Sequence, residues 1–211
     1  MEYSKEDSEL IIARQENLFS RYLKTIEQLC EFSNCLKEPT ACEYVSHGVC
    51  RRLGIMYQCI GNIFSIYPIT RNENDLLPES DLDTLAINLQ AFCINTAGAL
   101  DNLAWIYILE NKITYEKETN VSFWQFAEKN NRAKIYFPES FSAYLNSTLT
   151  NWHKSYLKTY RDTIAHRIPI YIPPYQIDVQ KENRITLANC FRGSITDSKV
   201  IPFHHQILND Y

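Results

Sequence analysis

The chain is predicted to be all-α: an antiparallel bundle of four long helices plus a short inserted helix, with an extended, short-strand C-terminal tail. Three observations predict it. Only five glycines stand among the 211 residues, too few for a turn-rich β fold. The chain is 45% hydrophobic and 13% aromatic, enough to bury a sizeable core. Long segments repeat their apolar residues at helical spacing. The length fits one domain. The predicted division is a helical bundle over 5–170 and a tail over 171–211.

The first helix is predicted from Lys5 to Ser33. Leu10, Ile11, Leu18, Tyr22, Ile26 and Leu29 form one apolar stripe along it. The second begins at Thr40, where Thr40-Ala41-Cys42-Glu43 has the spacing of a capping box. It runs to about Tyr67, ahead of Pro68, which disfavours helix in the residue before it. Gly48, Gly54 and Gly61 lie inside this helix. Each costs about 1 kcal/mol relative to alanine, so close helix–helix contact is the expected reason for them.

Thr70 to Leu77 reads as a loop. The third helix starts with Ser80 as cap and acidic residues in its first turn, where the helix dipole favours them. It ends near Glu110. Its stretch Leu82 to Leu109 is the most apolar of the chain. Asn88, Gln90, Asn95, Thr96, Asp101 and Asn102 interrupt it, which predicts a core helix rather than a membrane span. A short helix is expected over Ser122 to Asn130, with capping-box spacing in Ser122-Phe123-Trp124-Gln125. Pro138-Glu139-Ser140 opens the fourth long helix, which continues to Arg167 before Pro169. Beyond it, Ile170 to Tyr175 reads as extended or polyproline II. Arg184 to Cys190 and Lys199 to Phe203 read as short strand-like pieces.

The N-terminus is polar and acidic and does not read as a secretory signal. Seven cysteines without a CxxC pair argue against a disulfide framework and against a standard zinc site. They are expected to be small buried thiols in a reducing cytoplasm. The net charge of −4 gives no global case for nucleic-acid binding. The charge is unevenly spread, however. Between Asn131 and Tyr171, Arg132, Lys134, Lys154, Lys158, Arg161 and Arg167 face only Glu139 and Asp162. That leaves +4 on this segment and −8 on the rest. A local basic region can hold phosphate on an acidic protein.

The chemically distinctive pair lies there: Arg161 and His166 in Tyr160-Arg161-Asp162-Thr163-Ile164-Ala165-His166-Arg167. Five positions apart, they are splayed by about 140° on an ideal helix. They can converge if the helix loosens near Pro169 or if two copies face each other. Arginine offers a planar fork of donors to phosphate oxygens. Histidine takes and returns a proton near neutral pH. In RNA the 2′-hydroxyl is an internal nucleophile, so a base can start cleavage without a metal. The expected products are a 2′,3′-cyclic phosphate end and a 5′-hydroxyl end.

Arg161-Asp162-x-x-x-His166, late in the last helix of an all-α bundle, resembles the R-x4–6-H motif of the HEPN superfamily. In that superfamily a polar residue commonly follows the arginine. Many members are metal-independent ribonucleases used as toxins or antiviral effectors, and many are dimers with the motif at the interface. The resemblance covers roughly residues 5–170. It implies Arg161 on the scissile phosphate, His166 as acid and base, and Asp162 as an orienting group. It implies an endoribonuclease with no cofactor, acting on RNA as a homodimer, with an antitoxin or regulatory protein as a further partner. HEPN toxins paired with a nucleotidyltransferase antitoxin carry a tyrosine two residues after the histidine. Ile168 stands there, which argues against that mode of control.

Tyr160, Asp101 and Asn102 are the expected supporting residues, and Lys154, Lys158 and Arg167 the expected RNA contacts. A buried Asp101 needs a partner, and Arg161 is the favoured one. Asn95 lies one heptad before Asn102 on nearly the same face. His204-His205 lacks further ligands at metal-site spacing. His153 is expected on the basic face of the fourth helix. Trp105, Trp124, Trp152, Phe123 and Phe126 read as core aromatics. Two other readings stand beside the ribonuclease: a non-catalytic HEPN-like module that binds RNA or protein, and a structural bundle in which the pair is incidental.

Overall fold

The computed structural model describes residues 3–72, 74–115, 121–122, 137–167, 169–178, 183–185, 189–192 and 199–211. The described chain is mostly helical. The short helix expected over Ser122–Asn130 lies outside the described residues, apart from Ser122, as do Trp124, Phe123, Phe126 and Ile168.

The first predicted helix is two: α1 over Lys5–Glu16 and α2 over Leu18–Cys35. Ser4 caps α1, its hydroxyl oxygen accepting from the Asp7 amide at 3.0 Å. The break falls at Asn17, whose side-chain amide donates to the Ala13 carbonyl at 2.8 Å and competes for the end of the ladder.

The second predicted helix starts one residue early. Pro39 takes the first position, where its missing N–H costs nothing, and Glu38 in the cap position makes no side-chain cap bond. The expected capping box at Thr40 is therefore not used. The helix continues as α3 (Pro39–Glu43), a π-helical stretch over Tyr44–Cys50, and α4 (Arg51–Ile66). Helix α5 spans Glu79–Glu110. Ser80, the expected cap, sits inside it. The Pro78 carbonyl instead receives the amides of Asp81 and Leu82 at 3.1 and 3.2 Å. By length and composition α5 is able to cross a membrane. Here it buries Leu85, Leu89 and Phe92 inside the protein.

The last long helical run is α6 (Glu139–Tyr144), α7 (Thr150–Trp152) and α8 (Lys158–His166), joined by π-helical stretches at Leu145–Leu149 and His153–Leu157. The tail holds two antiparallel pairs. Strand β1 (Gln176–Asp178) pairs with β2 (Asn183–Ile185), and β3 (Asn189–Arg192) with β4 (Lys199–Pro202). The chain then forms α9 over Phe203–Asp210, a helix in place of the end of the expected extended tail.

The contacts divide the chain into two compact units. One comprises Met1–Arg21, Ile55–Ile94 and Tyr160–Tyr211; the other Tyr22–Gly54 and Asn95–Thr159. The tail thus belongs with the first unit. Its core includes Ile11, Ile60, Ile63, Phe92, Phe203 and Ile207, each at most 2% exposed. The second unit has two apolar clusters: Ala41, Val45, Val49 and Ile106, and Ala104, Ile108, Val121 and Leu145.

The glycines of the second helix differ in role. A Cβ on Gly48 would lie 2.9 Å from Asn102 Cγ, so a close approach does require that glycine. Gly54 would meet Tyr22 at an ordinary 3.5 Å, and Gly61 faces open space. The thiols also depart from expectation. Among the cysteines whose side chains are described, Cys59 and Cys93 are buried, Cys30 and Cys35 are exposed, and Cys42 and Cys50 are partly so. Desolvation raises the Cys50 pKa, with a further rise from the charge of Cys30, and desolvation alone raises that of Cys59.

Candidate functional site

Helix α8 fixes the predicted site residues through its buried face. Tyr160 and Thr163 are 3% and 4% exposed, which holds this turn of helix in a single orientation. Arg161 and Asp162 flank that face, half-exposed, and His166 is exposed at the last helical position. Arg161 Nη1 stands 3.4 Å from Asp162 Oδ1. The Asp162 carboxylate thus lies beside the guanidinium and neutralises part of its charge. The solvent exposure of both side chains keeps the stabilisation from this pair small. The described contacts include none between Arg161 and His166. Lys154, Lys158 and Arg167 are all exposed.

Of the supporting residues, Tyr160 shares α8 and the first unit with Arg161. Asp101 and Asn102 belong to the second unit and Arg161 to the first. Asn102 is engaged by Arg52, a residue with no distinctive sequence context. Arg52 Nε donates to Asn102 Oδ1 at 2.9 Å, and Arg52 Nη1 donates to Asn95 Oδ1 at 3.2 Å. Between the two asparagines, Gly98 leaves room for the guanidinium: a Cβ there would collide with it. The local sequence signal was available in Asn95, Gly98 and Asn102, at positions i, i+3 and i+7 of one helix face. Arg52, distant in sequence, carries no signal of its own.

The histidines sort by burial. His153 is 8% exposed and so does not join a basic surface, contrary to expectation. His204 is fully buried, with Nε2 2.6 Å from the Tyr67 carbonyl oxygen. Desolvation lowers its pKa to about 4, partly opposed by that hydrogen bond. It is a neutral core histidine packed among Phe64, Tyr67 and Phe203. Its neighbour His205 accepts on Nδ1 from Asn209 Nδ2 at 2.8 Å. Among the described residues no group of three metal-ligating side chains assembles. Trp105 stacks on Tyr44 with ring centroids 5.6 Å apart, in keeping with a packing role.

The second unit also contains an apolar cavity of about 390 Å³, walled by residues that include Phe32, Leu36, Leu103, Phe141 and Leu145. Glu110 stands at its edge and accepts the backbone amides of Lys37 and Glu38 at 3.0–3.1 Å. None of the predicted catalytic residues lines it. No family model matches the chain, and no curated protein or solved structure matches it either.

Proposed function

We propose that the protein is a HEPN-like four-helix bundle and a metal-independent endoribonuclease of the toxin or antiviral-defence type, working as a homodimer in the cytoplasm. The observation that carries this reading is the presentation of Arg161 and His166. Both reach solvent from consecutive turns of α8, while Tyr160 and Thr163 of the same turns are buried. A rigidly seated helix end thus offers a phosphate-binding fork and a proton carrier to a large substrate.

In the proposed reaction Arg161 binds the scissile phosphate. His166 takes the 2′-hydroxyl proton as that oxygen attacks phosphorus. The bond to the 5′ oxygen breaks, and the leaving oxygen receives a proton from His166. One product ends in a 2′,3′-cyclic phosphate and the other in a 5′-hydroxyl. Lys154, Lys158 and Arg167 would hold flanking phosphates. A second copy would bring a second Arg161 and His166 to the site, offsetting their five-residue splay. An antitoxin or regulatory protein would restrain the activity. The test is the chemistry of the ends: cleavage in EDTA must leave cyclic phosphate, and 3′-phosphate with 5′-phosphate ends would contradict it.

A second reading has its own support. Arg161 is already paired with Asp162, and no described contact joins it to His166. This arrangement suits a non-catalytic module that binds RNA or protein through the same surface. It would bind RNA without cleaving it.

A further inference from the structure

Arg52 is the second residue of α4; it is partly buried, and its guanidinium is bonded to α5. Asn95 and Asn102 each give it one oxygen, and Gly98 between them gives it space. Gly48 in turn gives space to the Asn102 side chain. Two helix-interior glycines, each costing about 1 kcal/mol relative to alanine, thus make room for one arginine and one of its acceptors.

The cradle is neutral. Two of the five guanidinium N–H groups are engaged by amide oxygens, which carry no charge. The hydrogen bonds that hold the Arg52 guanidinium run to amide oxygens and not to a carboxylate. A partly buried cation ordinarily has a counter-charge, because removing it from water is costly. Here the described hydrogen-bond partners fix the orientation of the fork through oxygens that carry no charge. A guanidinium held in this way suits a tetrahedral oxyanion, which it can meet through two parallel N–H groups.

We propose that Arg52, seated over Gly98 by Asn95 and Asn102, is a binding site for a phosphate-class oxyanion. The anion is a phosphate of an RNA backbone or a free phosphate ester. The site lies wholly within one unit and requires neither Arg161 nor His166, so it stands or falls independently of the ribonuclease reading.

The test uses the full chain. The Arg52 Nε–H resonance is followed by NMR while inorganic phosphate is added against chloride at matched ionic strength, with a second arm using a short single-stranded RNA. Asn102→Asp places a carboxylate on the acceptor position, preserves its shape and supplies an internal counter-charge. The expected result is saturable movement of the wild-type resonance, with affinity reduced about tenfold or more, 1.4 kcal/mol per decade, in a folded Asn102→Asp variant. RNA that displaces phosphate identifies the backbone as the source; phosphate binding untouched by RNA identifies a free ester. No saturable movement with either probe overturns the proposal. So does equal affinity in wild type and Asn102→Asp. Arg52→Lys gives a further check: it retains the charge but loses the fork, and undiminished binding there would also contradict the geometry.

Discussion

The buried imidazole of His204 meets the Tyr67 carbonyl oxygen through Nε2 at 2.6 Å, with Tyr3 Oη 3.4 Å from Nδ1 on its other side. This joins the end of α4 to the C-terminal helix α9 through a side chain with no exposed surface. The carbonyl can only accept, so Nε2 carries the proton of the neutral ring.

Stability should therefore depend on pH in a definite direction. In the folded chain the His204 pKa is lowered to about 4, mainly by desolvation; unfolded, it returns to about 6.5. The unfolded state takes up the proton first as pH falls. The contribution is complete above about pH 6.5, declines between 6.5 and 4, and levels off below, for a total of up to about 3 kcal/mol. Urea denaturation across this range should show the decline. His204→Gln should be less stable at pH 7 and flatter between pH 6.5 and 5. A variant slope equal to that of wild type would contradict the assignment.

Two backbone positions make opposite substitutions favourable. Lys112 has φ of 51° at the end of α5, where the Ile113 amide reaches back to the Ile108 carbonyl at 3.0 Å and that of Lys112 to Leu109 at 3.1 Å. This is a helix-terminating loop that prefers glycine. Lys112→Gly should stabilise by about 1 kcal/mol. Gly61 lies inside α4 with nothing near its missing Cβ, and Gly61→Ala should stabilise by about 0.5–1 kcal/mol. Gly48→Ala should destabilise, because its Cβ would press on Asn102. Chemical denaturation of the three variants checks the signs.

The Glu110 carboxylate accepts the amides of Lys37 and Glu38 just ahead of α3. These are donors the helix itself cannot satisfy. Glu110→Ala should cost about 1–2 kcal/mol. Amide hydrogen exchange at Lys37 and Glu38 should accelerate, with amides of α9 unaffected. Unchanged exchange at those two positions would show that the carboxylate contributes nothing there.

Helical content was legible because apolar spacing and prolines act locally. Pro39, Pro68 and Pro138 each lie at or beside an element boundary. The break at Asn17 was not legible, since no glycine or proline marks it; one side-chain amide competing for a carbonyl suffices. Ser80 failed as a cap because the Pro78 carbonyl two residues earlier already starts the helix. The π-helical stretches, the burial of His153 and His204, and the Arg52 cradle depend on packing between residues far apart in sequence. The candidate pair Arg161 and His166 was readable as a motif. The oxygen acceptors of Arg52 were readable only as a pattern of Asn and Gly without its cation.

Arg161 and His166 are the residues proposed to cleave RNA. Incubation of single-stranded RNA in EDTA with wild type, Arg161→Ala and His166→Ala tests this most directly, with circular dichroism confirming that all three are folded. Both positions are solvent-accessible, so folding should be retained. Wild type should cleave to cyclic-phosphate ends, with a loss of at least about 100-fold in each variant. Equal cleavage by all three proteins, or RNA left intact by folded wild type, would contradict the proposed roles.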